Sequence, residues 1–299
     1  MADDEDPTVL LVRDAPAGTG RLRRRPDLER VRRGAYVERG ESRGPGRDRR
    51  RLALARIRAV HGQSSGARWF SHESAALIWG CDVVGLSGLT HVIQPSRPRS
   101  RGADPVVRHH GDLPVEQRAR VDGMPVTSLA RTVVDCAASM SPGAGLVVAD
   151  SALRMRLDPV AVRDVLAARA GARGIARARE VIGLADGRAQ SPGETLVRWA
   201  LHSGGLPAPE LQVEVVTRRG RFFLDLAWPA ARVAVEFDGF VKYSGAFGST
   251  AADAVFAEKQ RQDALEEEGW RVLRVTWDDL RDPQALVARA ARALARGSS

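Results

Sequence analysis

Three acids, Asp225, Glu236 and Asp238, stand close together in the segment RFFLDLAWPAARVAVEFD. If Pro229, Ala230, Ala231 and Arg232 form a four-residue loop between two strands, Trp228 pairs with Val233 and the register sets Asp225 opposite Glu236. Strand side chains alternate with period two, so Asp238 shares the face of Glu236. Three carboxylates would then converge, and like charges that close resist joint ionisation unless a cation sits among them. Hard oxygen ligands with room for water suit Mg2+, with Mn2+ as an alternative; such an ion polarises a phosphoryl oxygen and activates a bound water. The flanking Phe222, Phe223, Leu224, Val233, Ala234 and Val235 make both strands core-like, and acids that interrupt such strands need a reason. The structural alternative is an edge hairpin whose acidic face lies in water.

Of 46 basic residues only Lys242 and Lys259 are lysines, and both follow Asp238 closely. An ammonium is a compact point charge that can act on water or phosphate, unlike the planar guanidinium. Lys242 is the nearer in sequence. Lys259 lies on a predicted helix where Val255, Lys259, Gln262 and Asp263 form one stripe that could face the sheet. Glu194, in Ser191-Pro192-Gly193-Glu194, reads first as the acid of a capping box.

These residues lie in a segment, RFFLDLAWPAARVAVEFDGFVKY and then AEKQRQDALEEEGWRVLRVTWDDL, that resembles the very-short-patch-repair-endonuclease-like domains of the PD-(D/E)xK, restriction-endonuclease-like superfamily. The resemblance covers about residues 190–296. It implies that Asp225 and Glu236 hold the metal and that relatives carry a further acid where Glu194 stands. The superfamily's lysine, two residues past the second acid, is replaced here by Asp238. The resemblance therefore implies a metal-dependent endonuclease acting on DNA with Asp225 and Glu236 as metal ligands; the residues of this sequence add Asp238 as a third ligand or water-orienting acid and Lys242 or Lys259 as the cation beside the scissile phosphate, which completes the set of candidate catalytic residues. Its alternative is a DNA-binding regulator that keeps the nuclease fold without the chemistry.

The elements that must carry these residues follow from periodicity. SPGETLVRWALHSGG predicts a helix ended by Gly204 and Gly205; LQVEVV, RFFLDLAW and RVAVEFD predict strands. A helix over about 250–268 stops at Gly269, the strand WRVLRVTW follows, and Asp278 caps a last helix. Trp270 and Trp277 bracket that strand as core residues, and Gly239 allows a sharp turn after the acids. The order helix, three strands, helix, strand, helix predicts a mixed sheet flanked by helices, an α/β (α+β) fold.

Ahead of it, residues 1–20 read as a disordered N-terminus and 21–188 as a basic, mostly helical α+β domain, with 189–299 as the nuclease-like domain. Helices are predicted over about Arg51–His61, in SHESAALIWG from a Ser71 cap to Gly80, in SLARTVVDCAASM, and onward from LVVADSALRMR; THVIQP and PVVRHHGDL predict short strands. ESRGPGRDRR reads as a loop. VRRGAYVE, SHESAALIWG and MPVTSLARTVVD are loosely similar to AbiEi-type antitoxin-like regions, over residues 30–190. VRRGAYVE matches the wing end of a winged-helix module, but RLRRRPDLER is too short for a helix-turn-helix, which implies a truncated module and a phosphate-holding cradle without base readout.

Charge supports a polyanion partner for this front part. Residues 190–299 carry 14 Lys and Arg against 15 Asp and Glu, whereas 1–189 carry 32 against 22. Cys81 and Cys136 lack metal-site spacing and read as buried hydrophobes. The six histidines are scattered; His109 and His110 point to opposite faces of a strand, make a poor chelate, and read as solvated. No stretch is apolar enough to span a membrane and the acidic start is unlike a secretory signal, so a cytoplasmic protein is expected, with nucleic acid, DNA first, as partner and a homodimer left open.

Overall fold

The computed structural model describes residues 7–14, 22, 24–64, 66–96, 105–239 and 251–297. The chain divides into a front unit, Met1–Met140 with Leu157–Glu180, and a rear unit, Ser141–Arg156 with Val181–Ser299.

The front unit begins with β1 (Val9–Leu11), β2 (Leu28–Arg32) and β3 (Ala35–Glu38), in the order β1-β3-β2. Strand β1 lies inside the stretch expected to be unstructured; it pairs antiparallel with β3. VRRGAYVE forms the predicted strand and turn, with Gly34 at φ +74° between β2 and β3. Helix α1 (Pro45–Gln63) starts well before the predicted Arg51. Pro45 is preset for a first helical position, and Asp48 accepts from the Ser42 hydroxyl (2.6 Å) and the Arg43 amide (3.1 Å), so part of the expected loop winds into helix.

Strands β4 (Trp69–Phe70), β5 (Thr90–Gln94), β6 (Val106–His110), β7 (Arg118–Val121) and β8 (Met124–Thr127) form a sheet ordered β6-β5-β4-β8-β7. Helix α2 (His72–Trp79) ends at Gly80 in the left-handed region, as predicted. Ser71 precedes it without capping it; its hydroxyl lies instead 3.0 Å from His72 Nδ1. Then come α3 (Leu129–Ser139), capped by Ser128, α4 (Pro142–Arg154), α5 (Pro159–Ala168), capped by Asp158, and α6 (Ile175–Gly183). Arg131, Asp135 and Gln117 form a buried set: the guanidinium donates to Asp135 at 2.9 Å and to Gln117 at 2.6 Å. Of the adjacent histidines only His110 is exposed; His109 is half-buried, stacked on His72.

Helix α4 belongs to the rear unit, which the predicted boundary near 189 did not anticipate. The reason is a buried ion pair: Asp150 on α4 accepts from Arg198 at 2.6 Å, from the Thr195 hydroxyl at 2.8 Å and from the Asp186 amide at 2.8 Å. Arg198 and Thr195 lie on α7 (Pro192–Ser203). Strands β9 (Glu210–Thr217), β10 (Gly220–Trp228), β11 (Val233–Phe237) and β12 (Arg271–Val275) follow, with α8 (Ala251–Glu267) before β12 and α9 (Pro283–Gly297) at the end. The sheet order is β12-β11-β10-β9; β11 runs parallel to β12 and antiparallel to β10, the predicted mixture. One face packs Leu226, Trp228, Val233 and Val235 with Val197 and Leu201 of α7 and Leu286 and Ala290 of α9. The other packs Leu224, Ala227 and Ala234 with Leu265 of α8 and Trp270.

Two details differ from expectation. Asp282, not Asp278, accepts the α9 amide of Ala285 (3.1 Å); Asp278 precedes a 3-10 turn at Asp279–Arg281 and makes no cap bond. Trp270 is core, but Trp277 is 42% exposed and meets Phe237 edge-on, because the chain has left the sheet by then.

Candidate functional site

The β10–β11 hairpin has the predicted register, Trp228 against Val233 and Leu226 against Val235, and its loop is a 3-10 turn at Pro229–Ala231 closed by Arg232 in the left-handed region. Continuing that register sets Asp225 across from Glu236. On its other side the β9 residue is Gln212, whose φ is +53°. Leu224 packs on the α8 side and Leu226 on the α7–α9 side, so the alternation shifts at Asp225. Asp225 drops out of the regular pairing, and its Oδ2 accepts the Phe237 amide at 2.9 Å.

Glu194, from the first turn of α7, completes this corner. Its amide donates to Ser191 Oγ (3.2 Å), and its own Oε2 accepts the Gln190 amide (2.9 Å), so it does serve as a cap. It is only 6% exposed and also accepts from Gln212 Nε2 at 3.2 Å, while the same nitrogen lies 3.5 Å from Asp225 Oδ1. Gln212 thus sits between two acids. Gly193 makes this packing possible: a Cβ there would stand 2.1 Å from the Phe237 ring. Gly239, by contrast, has no left-handed φ and room for ordinary contact, so the sharp turn expected of it is not what it supplies.

Burial, then Glu194 and Glu236, push the Asp225 carboxyl up to about 6, against the pull of the Phe237 amide. Glu236 has a different partner. Arg261 of α8 grips it with both terminal nitrogens, Nη1 to Oε2 at 2.9 Å and Nη2 to Oε1, and holds Glu258 as well; Glu258 also pairs with Arg274. Asp238 continues from Glu236, with its amide donating to the Val275 carbonyl at 2.8 Å. The predicted acids therefore do not form one three-acid face among the described residues: Asp225 turns to Glu194 and Gln212, Glu236 to α8.

Lys242 lies outside the described residues. Lys259 is exposed, as are Gln262 and Asp263, so these three members of the predicted stripe face solvent, while the side chain of Val255 lies outside the described residues. The inward stripe holds Ala264 and Leu265 with Arg261 three and four positions before them. Arg261 and Gln212 were missed. Arg261 could have been found, because Ala264 and Leu265 are the apolar pair that fixes which side of α8 packs.

The front unit offers a different surface. A groove of about 640 Å3 is lined by Arg39, Arg43, Arg47 and Arg51, together with Glu38, Glu41 and Asp48. Arg39, Arg43 and Arg47 are exposed; Arg51 donates to the Glu38 carbonyl at 2.9 Å. No helix among the described residues is long and apolar enough to cross a membrane.

Residues 73–184 match the AbiEi antitoxin C-terminal domain family. This bears out the antitoxin-like part of the resemblance; the repair-endonuclease-like reading of residues 190–296 has no counterpart in that match. No solved structure is significantly similar to the chain. Two sequences from Mycobacterium tuberculosis, the uncharacterized protein Rv2248 of strain H37Rv and the uncharacterized protein MT2308 of strain CDC 1551, are each 36% identical over 231 residues, covering 75% of this chain and 80% of theirs. Residues 73–184 are thus similar to the AbiEi antitoxin C-terminal domain, and with that identity over that length the chain belongs to the same family as these mycobacterial proteins.

Proposed function

We propose that the protein is an antitoxin-class regulator that binds DNA through the front unit. The observation that carries this reading is the groove lined by Arg39, Arg43, Arg47 and Arg51, in the half of the chain that holds the whole basic excess. Exposed guanidinium groups along a groove suit phosphate oxygens, and the counterions they release make binding steeply salt-dependent. The antitoxin-type segment gives the binding a regulatory setting. In the rear unit Glu236 is neutralised by Arg261, which favours a platform over a reaction centre.

The test is anisotropy of a labelled mixed-sequence duplex titrated over a range of salt, with Arg39→Ala, Arg43→Ala and Arg47→Ala made singly and together. Affinity should fall with each, and the slope of log K against log salt should shrink by about 1 per arginine in phosphate contact. Binding that ignores both salt and these substitutions would remove the proposal.

A second reading, metal-dependent hydrolysis of DNA phosphodiesters, is favoured by one specific observation: burial and the neighbouring Glu194 and Glu236 raise the Asp225 carboxyl to about 6, a crowding that a divalent ion would relieve. Asp225 and Glu236, with Asp238 or Glu194, would hold Mg2+ or Mn2+, which would polarise a phosphoryl oxygen and activate water. Glu236 would have to release at least one oxygen from Arg261. Lys242 and Lys259 are this reading's candidates for the cation beside the phosphate. Metal-dependent nicking of plasmid that disappears in both Asp225→Ala and Glu236→Ala would establish it, and intact plasmid in either metal would end it.

A further inference from the structure

Outside the acid cluster, the front unit gathers three of the six histidines from separate elements. His91 of β5 and His109 of β6 lie on neighbouring parallel strands, where His109 pairs with Ile93 and His91 with Val107, so the two rings share a face one step apart. The start of α2 is fastened over them. The Ser71 amide donates to the His91 carbonyl at 3.0 Å, and the His91 amide donates to Ser74 Oγ at 2.9 Å. His72 stands between those two anchors with φ +52°, a left-handed backbone that a non-glycine residue holds only when its surroundings enforce it. The outcome is a stack: the His72 and His109 rings are 3.9 Å apart at 13°, and His91 Nδ1 faces His109 Nε2 at 3.1 Å.

From this geometry we infer that His72, His91 and His109 form a binding site for a zinc-class transition-metal ion. One ligand nitrogen from each ring lies within 4.8 Å of the others. Tetrahedral coordination at a metal–nitrogen distance of about 2.0–2.1 Å sets neighbouring nitrogens roughly 3.3 Å apart, so the His91–His109 pair already has the needed spacing. His72, stacked face-to-face on His109, would turn its ring out of that stack to close the triangle. Its other nitrogen already has an orienting partner in Ser71 Oγ at 3.0 Å, the outer contact that ligand histidines typically make. Imidazole donors without a carboxylate select zinc, cobalt, nickel or copper over magnesium or calcium.

Two further features agree. A metal ligand must be an unprotonated imidazole, and burial lowers the pKa of all three rings, that of His109 to about 4, in the direction that ligation needs. Among the described residues His91 Nε2 is buried with no hydrogen-bond partner, so the ring's only polar contact there is Nδ1 with His109. Three nitrogens leave a fourth position open. The positive charges of Arg131 and Arg169, which act on His72 and His109, favour an anion there, such as hydroxide or a phosphate oxygen.

The experiment uses the full chain, freed of metal with chelator and titrated with Co2+ while its visible spectrum is followed, then with Zn2+ in competition. The expected result is one equivalent of Co2+ with a tetrahedral nitrogen and oxygen spectrum and no thiolate charge-transfer band, displaced by Zn2+. Affinity should drop at least tenfold in His91→Gln and His109→Gln, and Asp225→Asn should leave it unchanged, which separates this site from the acids of the rear unit. Should the histidine variants fail to fold, Ser71→Ala, which removes only the orienting hydroxyl, should weaken binding about tenfold. Absence of the Co2+ spectrum in the wild-type chain, a thiolate spectrum, or unchanged affinity in the folded variants would overturn the inference.

Discussion

The acid cluster of the rear unit and the histidine cluster of the front unit face the same difficulty, like ionisable groups crowded in partly dry surroundings, and solve it in opposite ways. The rear cluster keeps charge and divides it: Glu236 is neutralised by Arg261, and Asp225 carries the strain, its carboxyl pushed up to about 6 beside Glu194. The front cluster sheds charge, since burial and the nearby arginines hold His72 and His109 unprotonated. A cation added to the first replaces a repulsion, whereas a cation added to the second fills free lone pairs.

Breaking the guanidinium pairing of Arg261 with Glu236 should have the largest effect. Arg261→Ala strands a buried carboxylate and should cost about 3–5 kcal/mol, read by urea denaturation at pH 7. A loss below about 1 kcal/mol would mean that Glu236 finds water or another partner.

Next comes the contrast in pH dependence. Asp225 has a folded pKa above its unfolded one, about 6 against 3.8, so its contribution to stability is present below pH 3.8 and is lost as pH rises through 6. Asp225→Asn keeps an acceptor for the Phe237 amide, and should stabilise the chain by roughly 3 kcal/mol at pH 8 and not at all near pH 3.5, at about 1.4 kcal/mol per pKa unit. His109 has the opposite sign: its folded pKa of about 4 lies below 6.5, so in metal-free protein its contribution is present above pH 6.5 and is lost as pH falls through 4. Stability profiles of Asp225→Asn and His109→Gln against the wild type should therefore diverge from it at opposite ends of the range. Parallel profiles would erase the distinction between the clusters.

Smaller effects sharpen the geometry of the acid corner. Gly193→Ala would drive a methyl into the Phe237 ring and should cost about 1–3 kcal/mol, measured by thermal denaturation. Lys259→Ala should change stability by less than about 0.5 kcal/mol, because the side chain is exposed; a larger loss would place that lysine in the acid network after all.

How much of this could be read from the residues depended on sequence distance. Asp225 and Glu236 lie on one hairpin whose loop is only Pro229–Arg232, so alternation and loop length sufficed for their register. The helix ends at Gly80 and Ser191 were equally local, set by a left-handed glycine and a capping hydroxyl. The shift of alternation at Asp225 was not legible, because it comes from the unusual backbone of Gln212 on the neighbouring strand. The partition of α4 was hidden too, since one buried pair, Asp150 with Arg198, links residues 48 apart. His72, His91 and His109 looked scattered for the same reason: a parallel strand pair and a helix start bring them together, and neither leaves a local signature.

The proposed regulator would grip DNA and leave it uncut. Incubating the full-length protein with supercoiled plasmid in Mg2+ and in Mn2+, beside the Asp225→Ala and Glu236→Ala variants, tests it most directly on one gel. The expected result is retarded plasmid at low salt, released as salt rises, and still supercoiled after incubation with all three proteins. Nicked plasmid produced by the wild type and by neither variant would contradict it.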